Sequence, residues 1–152
     1  MKRIAPDLSD EYRRTILRGG EVLVNVRGTL GGVAVSKPGM KDWNVSREVA
    51  VVPVDPNQAD PFFLAYWIAT DASQGWLTNV QKGAAYTGIN IEDLRNLPVP
   101  IPEPSEQRGF VSKLDDRRSE SRRLEQIYQA KLANLAGLKQ SLLARAFAGD
   151  LT

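Results

Sequence analysis

The longest regular pattern in the chain lies between Ser105 and Phe147, where apolar residues recur at intervals of three and four positions. This spacing predicts one long helix with a single apolar stripe. Ser105 is the expected N-cap, with Glu106 in the first turn, and Gly149 with Asp150 ends the helix. The stripe, called the apolar seam below, consists of Leu114, Leu124, Ile127, Tyr128, Leu132, Leu135, Leu138 and Leu142.

A helix of this length would extend roughly 60 Å at about 1.5 Å per residue, which exceeds what one small domain can cover. The seam is therefore expected to pair with another helix, although charged or polar residues interrupt it at Arg117, Ser121, Lys131 and Arg145. The alternative is a helix that packs on its own domain.

The first third of the chain alternates apolar and polar positions with a period of two, which predicts strands. Glycines at 28, 31 and 32 separate the first two apolar stretches and predict a hairpin turn. The predicted elements are a helix over Asp7–Leu17 capped by Asp7 or Ser9, a strand over Glu21–Arg27, extended residues Val33–Val35 and a strand over Val45–Val54.

A helical region follows, in which Asp60 and Pro61 begin a helix rich in aromatic residues that we expect to pack on the sheet. Residues near Trp76 predict a further short helix, and Asn90 is expected to cap another that reaches Leu94. Apolar residues alternate with proline over Leu97–Pro102, which predicts an extended connector. The predicted class is α+β: a small sheet-and-helix domain over residues 1–103, then one long helix over 104–152 that forms an antiparallel coiled coil.

The composition excludes several kinds of chemistry. The chain has no cysteine and no histidine, so neither a Ser-His nor a Cys-His nucleophile pair can exist. No stretch approaches the ~20 apolar residues of a membrane span, and no apolar run follows Met1–Ile4 to form a signal peptide. We therefore predict a cytoplasmic, non-catalytic protein with no cofactor, no metal site and no membrane partner.

The net charge of +2 conceals a segregated pattern. Residues 13–48 hold seven Lys/Arg and three Asp/Glu, whereas residues 49–103 hold two Lys/Arg and six Asp/Glu. A basic segment of this kind fits an anionic partner such as nucleic acid.

The glycine-rich turn Gly28–Gly32 is better explained by a hairpin than by a phosphate-binding loop, because a strand follows it and not a helix. Basic side chains near the hairpin could neutralise phosphates, and asparagines could read adenine. The alternative for each residue is a solvated surface position. The predicted DNA-binding residues are Arg27, Thr29, Lys37, Lys41, Asn44, Arg47, Lys82, Tyr86, Thr87 and Asn90, of which Arg27, Arg47 and Lys82 are the strongest candidates.

The order of these motifs resembles the specificity (S) subunits of type I restriction–modification systems. Residues 20–31 read GEVLVNVRGTLG and resemble the strand and turn of that family's target recognition domain. Residues 83–102 resemble the end of the same domain, Glu106 and Gln107 its helix start, and Ile127–Phe147 its distal spacer helix.

The resemblance implies a non-catalytic subunit that reads double-stranded DNA. Such subunits carry two recognition domains, each followed by a long helix, and the antiparallel helices dock methyltransferase subunits that the restriction subunit joins. This chain resembles only the C-terminal half, which implies a homodimer or pairing with a second half. The alternative is an assembly module that docks methyltransferase through its helix without binding DNA. That the chain is an enzyme is the least supported hypothesis.

Overall fold

The computed structural model describes residues 5–28, 31–80 and 88–150. The chain divides into two compact units, Met1–Val111 and Ser112–Thr152. Among the described residues, the first unit contains a sheet and four short α-helices together with the start of the long helix, and the second contains the remainder of that helix. The division at residue 103 that the sequence suggests stays a prediction.

The sheet has three antiparallel strands in the order β2-β1-β3. Val22 and Val24 of the central strand are buried, whereas Leu23 and Asn25 are only partly buried, as the alternating pattern predicts. Val22 pairs with Val35 on one side, so the predicted hairpin is confirmed. The strands are β1 (Val22–Asn25), β2 (Val33–Val35) and β3 (Val49–Val52).

The third strand is shorter than the predicted Val45–Val54. Asn44 forms a bridge with Ile16, and the Val45 N–H donates to the Thr15 carbonyl at 3.0 Å. These residues therefore pair with the segment before β1 and not with β1 itself.

The predicted helix over Asp7–Leu17 is also wrong in its extent. The helix α1 covers Pro6–Glu11, a 3₁₀ turn follows at Arg13–Thr15, and Asp7 and Ser9 lie inside α1 instead of capping it. Leu17 is extended because its N–H donates to the Trp43 carbonyl at 2.9 Å.

Three helices follow the sheet: α2 (Pro61–Ile68), α3 (Asp71–Asn79) and α4 (Ile91–Arg95). The Asp60 carboxylate caps α2 by accepting from the N–H groups of Phe62 and Phe63 at 2.8 and 3.2 Å, which confirms the predicted cap. The aromatic helix is only partly a core helix, because Phe63 is buried but Phe62 is half exposed. The buried core residues are Val22, Val24, Val26, Ala50, Ile68, Leu77, Ile89, Leu94 and Leu97.

The long helix α5 covers Pro104–Ala148, 45 residues. The predicted N-cap is wrong: Pro104 is already helical, as proline often is at the first position of a helix, and the Glu103 carbonyl accepts from the N–H groups of Glu106 and Gln107. The predicted C-terminal end is confirmed. Gly149 has a φ of +81°, and the Asp150 N–H returns to the Arg145 carbonyl at 2.9 Å in a Schellman arrangement.

Of the helices that the structure describes, none combines the length and apolar character that crossing a bilayer requires.

The hairpin turn is fixed to the helices through one glycine. Gly31 has a φ of +75°, and the Gln74 side chain donates to the carbonyls of Gly31 and Ile68 at 3.1 and 2.7 Å. A β-carbon on Gly31 would overlap the Gln74 side-chain amide.

We therefore expect Gly31→Ala to lower the free energy of unfolding by about 2 kcal/mol, from left-handed backbone strain and disturbed Gln74 hydrogen bonds. Urea unfolding would measure the effect. Gly75→Ala, in α3 with open space around its β-carbon, is the control and should be neutral or stabilising by up to about 1 kcal/mol. Equal stability of the two variants would contradict this account of the turn.

Candidate nucleic-acid interface

Two of the predicted DNA-binding arginines lie at the carboxyl end of β1. Arg27 follows β1 and bridges to Gly88, and Arg47 precedes Glu48, whose carbonyl accepts from the Val26 N–H at 2.8 Å. Both arginine side chains are exposed. This end of the sheet therefore presents two guanidinium groups, which match phosphate or guanine geometry.

The predicted residues Lys37, Lys41 and Asn44 lie elsewhere. Lys37 follows β2 near the amino end of β1, and the Asp42 N–H donates to the Leu17 carbonyl, which places Lys41 beside the segment before β1. The structure thus separates the predicted set into two groups at opposite ends of the sheet. Thr29, Lys82, Tyr86 and Thr87 lie outside the described residues.

Both asparagines predicted to read adenine hold hydrogen bonds within the chain. Asn44 accepts from the Ser9 hydroxyl at 2.7 Å and donates to the Thr15 hydroxyl at 3.1 Å. Asn90 caps α4 by accepting from the Glu92 N–H. Bidentate adenine reading uses both the oxygen and the nitrogen of the amide, and Asn44 employs both in joining α1 to the 3₁₀ turn at Arg13–Thr15. Base reading by these residues stays a prediction.

Glu21 has a structural role that the sequence did not reveal. Its side chain is 6% exposed and accepts from the N–H groups of Arg18 and Gly19 at 2.6 and 2.9 Å. The Ser36 hydroxyl also donates to it at 2.5 Å. The carboxylate therefore closes the turn that leads into β1. The sequence signal for this role is a glutamate directly after two glycines, Gly19 and Gly20. Both glycines have a positive φ in the structure.

Burial alone would raise the pKa of Glu21, but the hydrogen bonds from Ser36 and the backbone N–H groups outweigh it and hold the pKa below its ordinary value. A carboxylate with a lowered pKa stabilises the fold above its unfolded pKa of about 4.3. That contribution is lost as the pH falls through the folded pKa.

Glu21→Gln should consequently lower the free energy of unfolding at pH 7 by about 2 kcal/mol, because the amide nitrogen cannot accept the hydrogen bonds that one carboxylate oxygen receives. The difference between parent and variant should shrink as the pH falls below about 4.3, the ordinary glutamate pKa, because the unfolded parent then takes up a proton, and it should be smallest below the lowered folded pKa. Urea unfolding at several pH values measures both effects. If parent and variant differed by the same free energy of unfolding at pH 3 and pH 7, the negative charge assigned to Glu21 in the folded state would be contradicted.

Gln107 is fully buried and anchors the first turns of α5 within the sheet-containing unit. Its side-chain nitrogen donates to the carbonyls of Pro102 and Gln58 at 2.7 and 3.1 Å, and its oxygen accepts from the Asp60 N–H at 2.7 Å. In the sequence, Gln107 is recognisable only as part of a helix-start motif. Its three hydrogen bonds show why a glutamine is required there.

The apolar seam is solvent-exposed along the second unit. Its side chains, from Leu114 to Leu142, are 41–67% exposed. A row of exposed apolar residues on one face of a helix is typical of a surface that another helix covers.

A family model described as the type I restriction modification DNA specificity domain matches residues 3–131. The match covers most of the chain and includes the sheet, the short helices and more than half of α5.

The chain belongs to this family.

Individual relatives agree with the family assignment. The chain is 29% identical over its whole length to the specificity subunit of the type I restriction enzyme EcoBI of Escherichia coli, and covers 32% of that protein. It is 32% identical to the EcoDI specificity subunit over 96 residues, which are 63% of this chain and 22% of that protein. The chain therefore spans about a third or less of these specificity subunits.

Solved structures show the same fold. The HsdS subunit from Thermoanaerobacter tengcongensis matches 86% of this chain with a TM-score of 0.71 at 22% identity, and 34% of that protein is covered. A chain from a study of complex assembly and conformational transition of the type I R-M system matches 90% with a TM-score of 0.72 at 28% identity, and 33% of it is covered. The α+β class, with its small sheet and long C-terminal helix, is shared with these specificity domains.

Proposed function

We propose that this specificity domain is a sequence-specific DNA-recognition module of a type I restriction–modification complex. It would direct methyltransferase and restriction subunits to a bipartite DNA target and would do no chemistry itself. The observation that carries the proposal is the match of the specificity-domain model to residues 3–131, because the match includes both the sheet, with its exposed Arg27 and Arg47, and much of the long helix.

The charge distribution supports recognition of DNA by the sheet-containing unit. Arg27 and Arg47 are exposed at one end of β1, and Gly88, which bridges to Arg27, comes six positions after Lys82 in the sequence. Guanidinium groups on a rigid strand end can pair with phosphates or with guanine. We infer that this end of the sheet faces the DNA.

The exposed seam supports the proposed partners. Two copies, or this chain and a second specificity half, would pair antiparallel through Leu124, Leu135, Leu138 and Leu142. The cations in the seam favour an antiparallel pair of copies. A parallel in-register pair would place Arg117, Lys131 and Arg145 each against the same residue of the other copy, so that like charges would repel. A two-fold pair presents two recognition units to a split target. The complex would act in the cytoplasm, where its methyltransferase and restriction partners meet DNA.

The decisive experiment is to co-purify the chain with a methyltransferase subunit and then map the methylated sites. Methylation at a bipartite sequence that is lost when the chain is omitted would support the proposal. A stable complex that shows no gel shift with duplex DNA and no sequence-specific methylation would overturn it.

A second function is supported by the exposed seam: an assembly module that docks methyltransferase through α5 without binding DNA. The dependence of DNA affinity on salt separates the two. A recognition module should lose affinity steeply as salt rises, because cation–phosphate contacts release counterions, whereas an assembly module has no affinity to lose.

A further inference from the structure

A recess of about 610 Å³ opens on the first unit at the amino end of β1. Arginines and apolar residues alternate around it, because the segment from residue 13 to residue 18 runs beside β3. The residues that line the recess are Arg13, Arg14, Ile16, Arg18, Glu21, Val51 and Pro53. None of these arginines was among the predicted DNA-binding residues.

The positive charge of this recess is not balanced locally. Among the described side chains, Arg13, Arg14 and Arg18 form no ion pair, and all three are exposed. The nearby carboxylate of Glu21 is occupied by the N–H groups of Arg18 and Gly19 and by the Ser36 hydroxyl. Three guanidinium groups face one carboxylate that is already fully hydrogen-bonded, so the recess keeps a net positive charge.

The recess and Arg27 lie on the same face of the sheet. Val22, Val24 and Ala50 point into the core, so strand alternation places Leu23 and its partner Val51 on the opposite face. Glu21 and Arg27 have the same parity as Leu23 and therefore also point to this open face. Val51 and Glu21 line the recess, which accordingly opens on the side where Arg27 projects.

The spacing of the two cationic groups fits a nucleic-acid backbone. Glu21 and Arg27 are six residues apart along an extended segment, which is about 20 Å at 3.3 Å per residue. A duplex rises about 3.4 Å per base pair along its axis, so the same distance corresponds to roughly six base pairs, a little more than half a helical turn. A duplex that lies along β1 is therefore long enough to present backbone phosphates both at the Arg27 end and at the recess.

We propose that the recess formed by Arg13, Arg14 and Arg18 is a phosphate-binding site for the DNA backbone, which fixes the orientation of the duplex while the opposite end of the sheet reads bases. The inference rests on the proposed DNA-recognition function and adds a second contact point to it. Planar guanidinium groups bind phosphate oxygens bidentately, and backbone contacts of this kind fix register without reading sequence.

The test compares duplex binding by the parent chain, by R13Q/R14Q and by the charge-matched control R95Q/R108Q, whose arginines are exposed elsewhere in the same unit. Fluorescence anisotropy with a labelled mixed-sequence duplex of thirty base pairs would be recorded over a range of salt concentrations. Circular dichroism would establish that all variants are folded.

Loss of two phosphate contacts should weaken binding about tenfold at low salt and reduce the slope of log K against log salt by about 1.8. The control should retain the parent slope. R13K/R14K, which keeps the charge but not the planar fork, should retain the slope and recover part of the affinity.

The outcomes separate this inference from the function on which it rests. The phosphate site alone would be overturned if R13Q/R14Q bound DNA with the affinity and the salt slope of the parent. It would also be overturned if R95Q/R108Q lost as much affinity as R13Q/R14Q. A parent chain without any affinity for the duplex would overturn both proposals. Unchanged DNA binding together with reduced capture of a methyltransferase subunit would also overturn the phosphate site, in favour of an acidic protein surface as the ligand.

Discussion

Replacing Gln107 by leucine is expected to lower the free energy of unfolding of the sheet-containing unit by about 3–4 kcal/mol. The apolar side chain removes three hydrogen bonds at once. It leaves the Asp60 N–H and the carbonyls of Pro102 and Gln58 without that partner in a partly buried setting, at a cost of about 1–3 kcal/mol for each group that water cannot reach. Urea unfolding followed by tryptophan fluorescence would measure the change.

Gln126→Leu is the matched control, since it makes the same chemical change on the exposed surface of α5. Its effect should stay within about 0.5 kcal/mol. If both leucine variants unfold at the parent midpoint, the hydrogen bonds of Gln107 do not hold the start of the helix.

Replacing Leu135 by aspartate is expected to weaken the proposed self-association by at least about a hundredfold. In a two-fold helix pair the substitution places a carboxylate in the seam twice, and burial of an unpaired charge costs several kcal/mol. Leu138→Asp should act in the same way. Light scattering or sedimentation at several concentrations would measure the mass of each variant.

Ala136→Asp introduces the same charge at an exposed position next to the seam and should leave the mass unchanged. A parent and a Leu135→Asp variant of equal mass at every concentration would remove the self-pairing hypothesis. Pairing with a second specificity half would then be tested by co-expression of that half.

The parts of the fold that are encoded by local pattern were predictable. The alternation from Val22 to Val26, the glycines after Arg27 and the Asp60-Pro61 start of α2 each fix their own element through sterics or capping. The long helix was predictable because its seam repeats over many turns.

The boundaries that failed depend on contacts between distant segments. The apolar Val45 favours a longer β3, but its N–H donates to the Thr15 carbonyl instead. The same pairing keeps Leu17 out of α1. The start of β3 and the end of α1 are therefore set by where the segment before β1 lies, and no local sequence pattern encodes that position.

The candidate site was predictable in residue type more than in arrangement. Exposed arginines at the end of a strand follow from the sequence, but the division of the basic residues between two ends of the sheet follows from register. Glu21 and Asn44 resemble ordinary surface residues in the sequence, since each has at least one hydrogen-bond partner 15 or more residues away. The sequence does not single out the arginines around the recess, because Ile16 comes together with Val51 and Pro53 to form the recess only in the folded chain.

The contrast between the two parts of α5 has a consequence for dynamics. Its first turns are held by Gln107, whereas every side chain from residue 112 to residue 148 is exposed and Gly137 interrupts the run. A helix without tertiary packing opens readily in water, and an interior glycine costs it about 1 kcal/mol. Amide hydrogens along this segment should therefore exchange rapidly in the lone chain and slowly once a neighbouring helix covers them, so the exchange profile would outline the footprint of whichever partner binds.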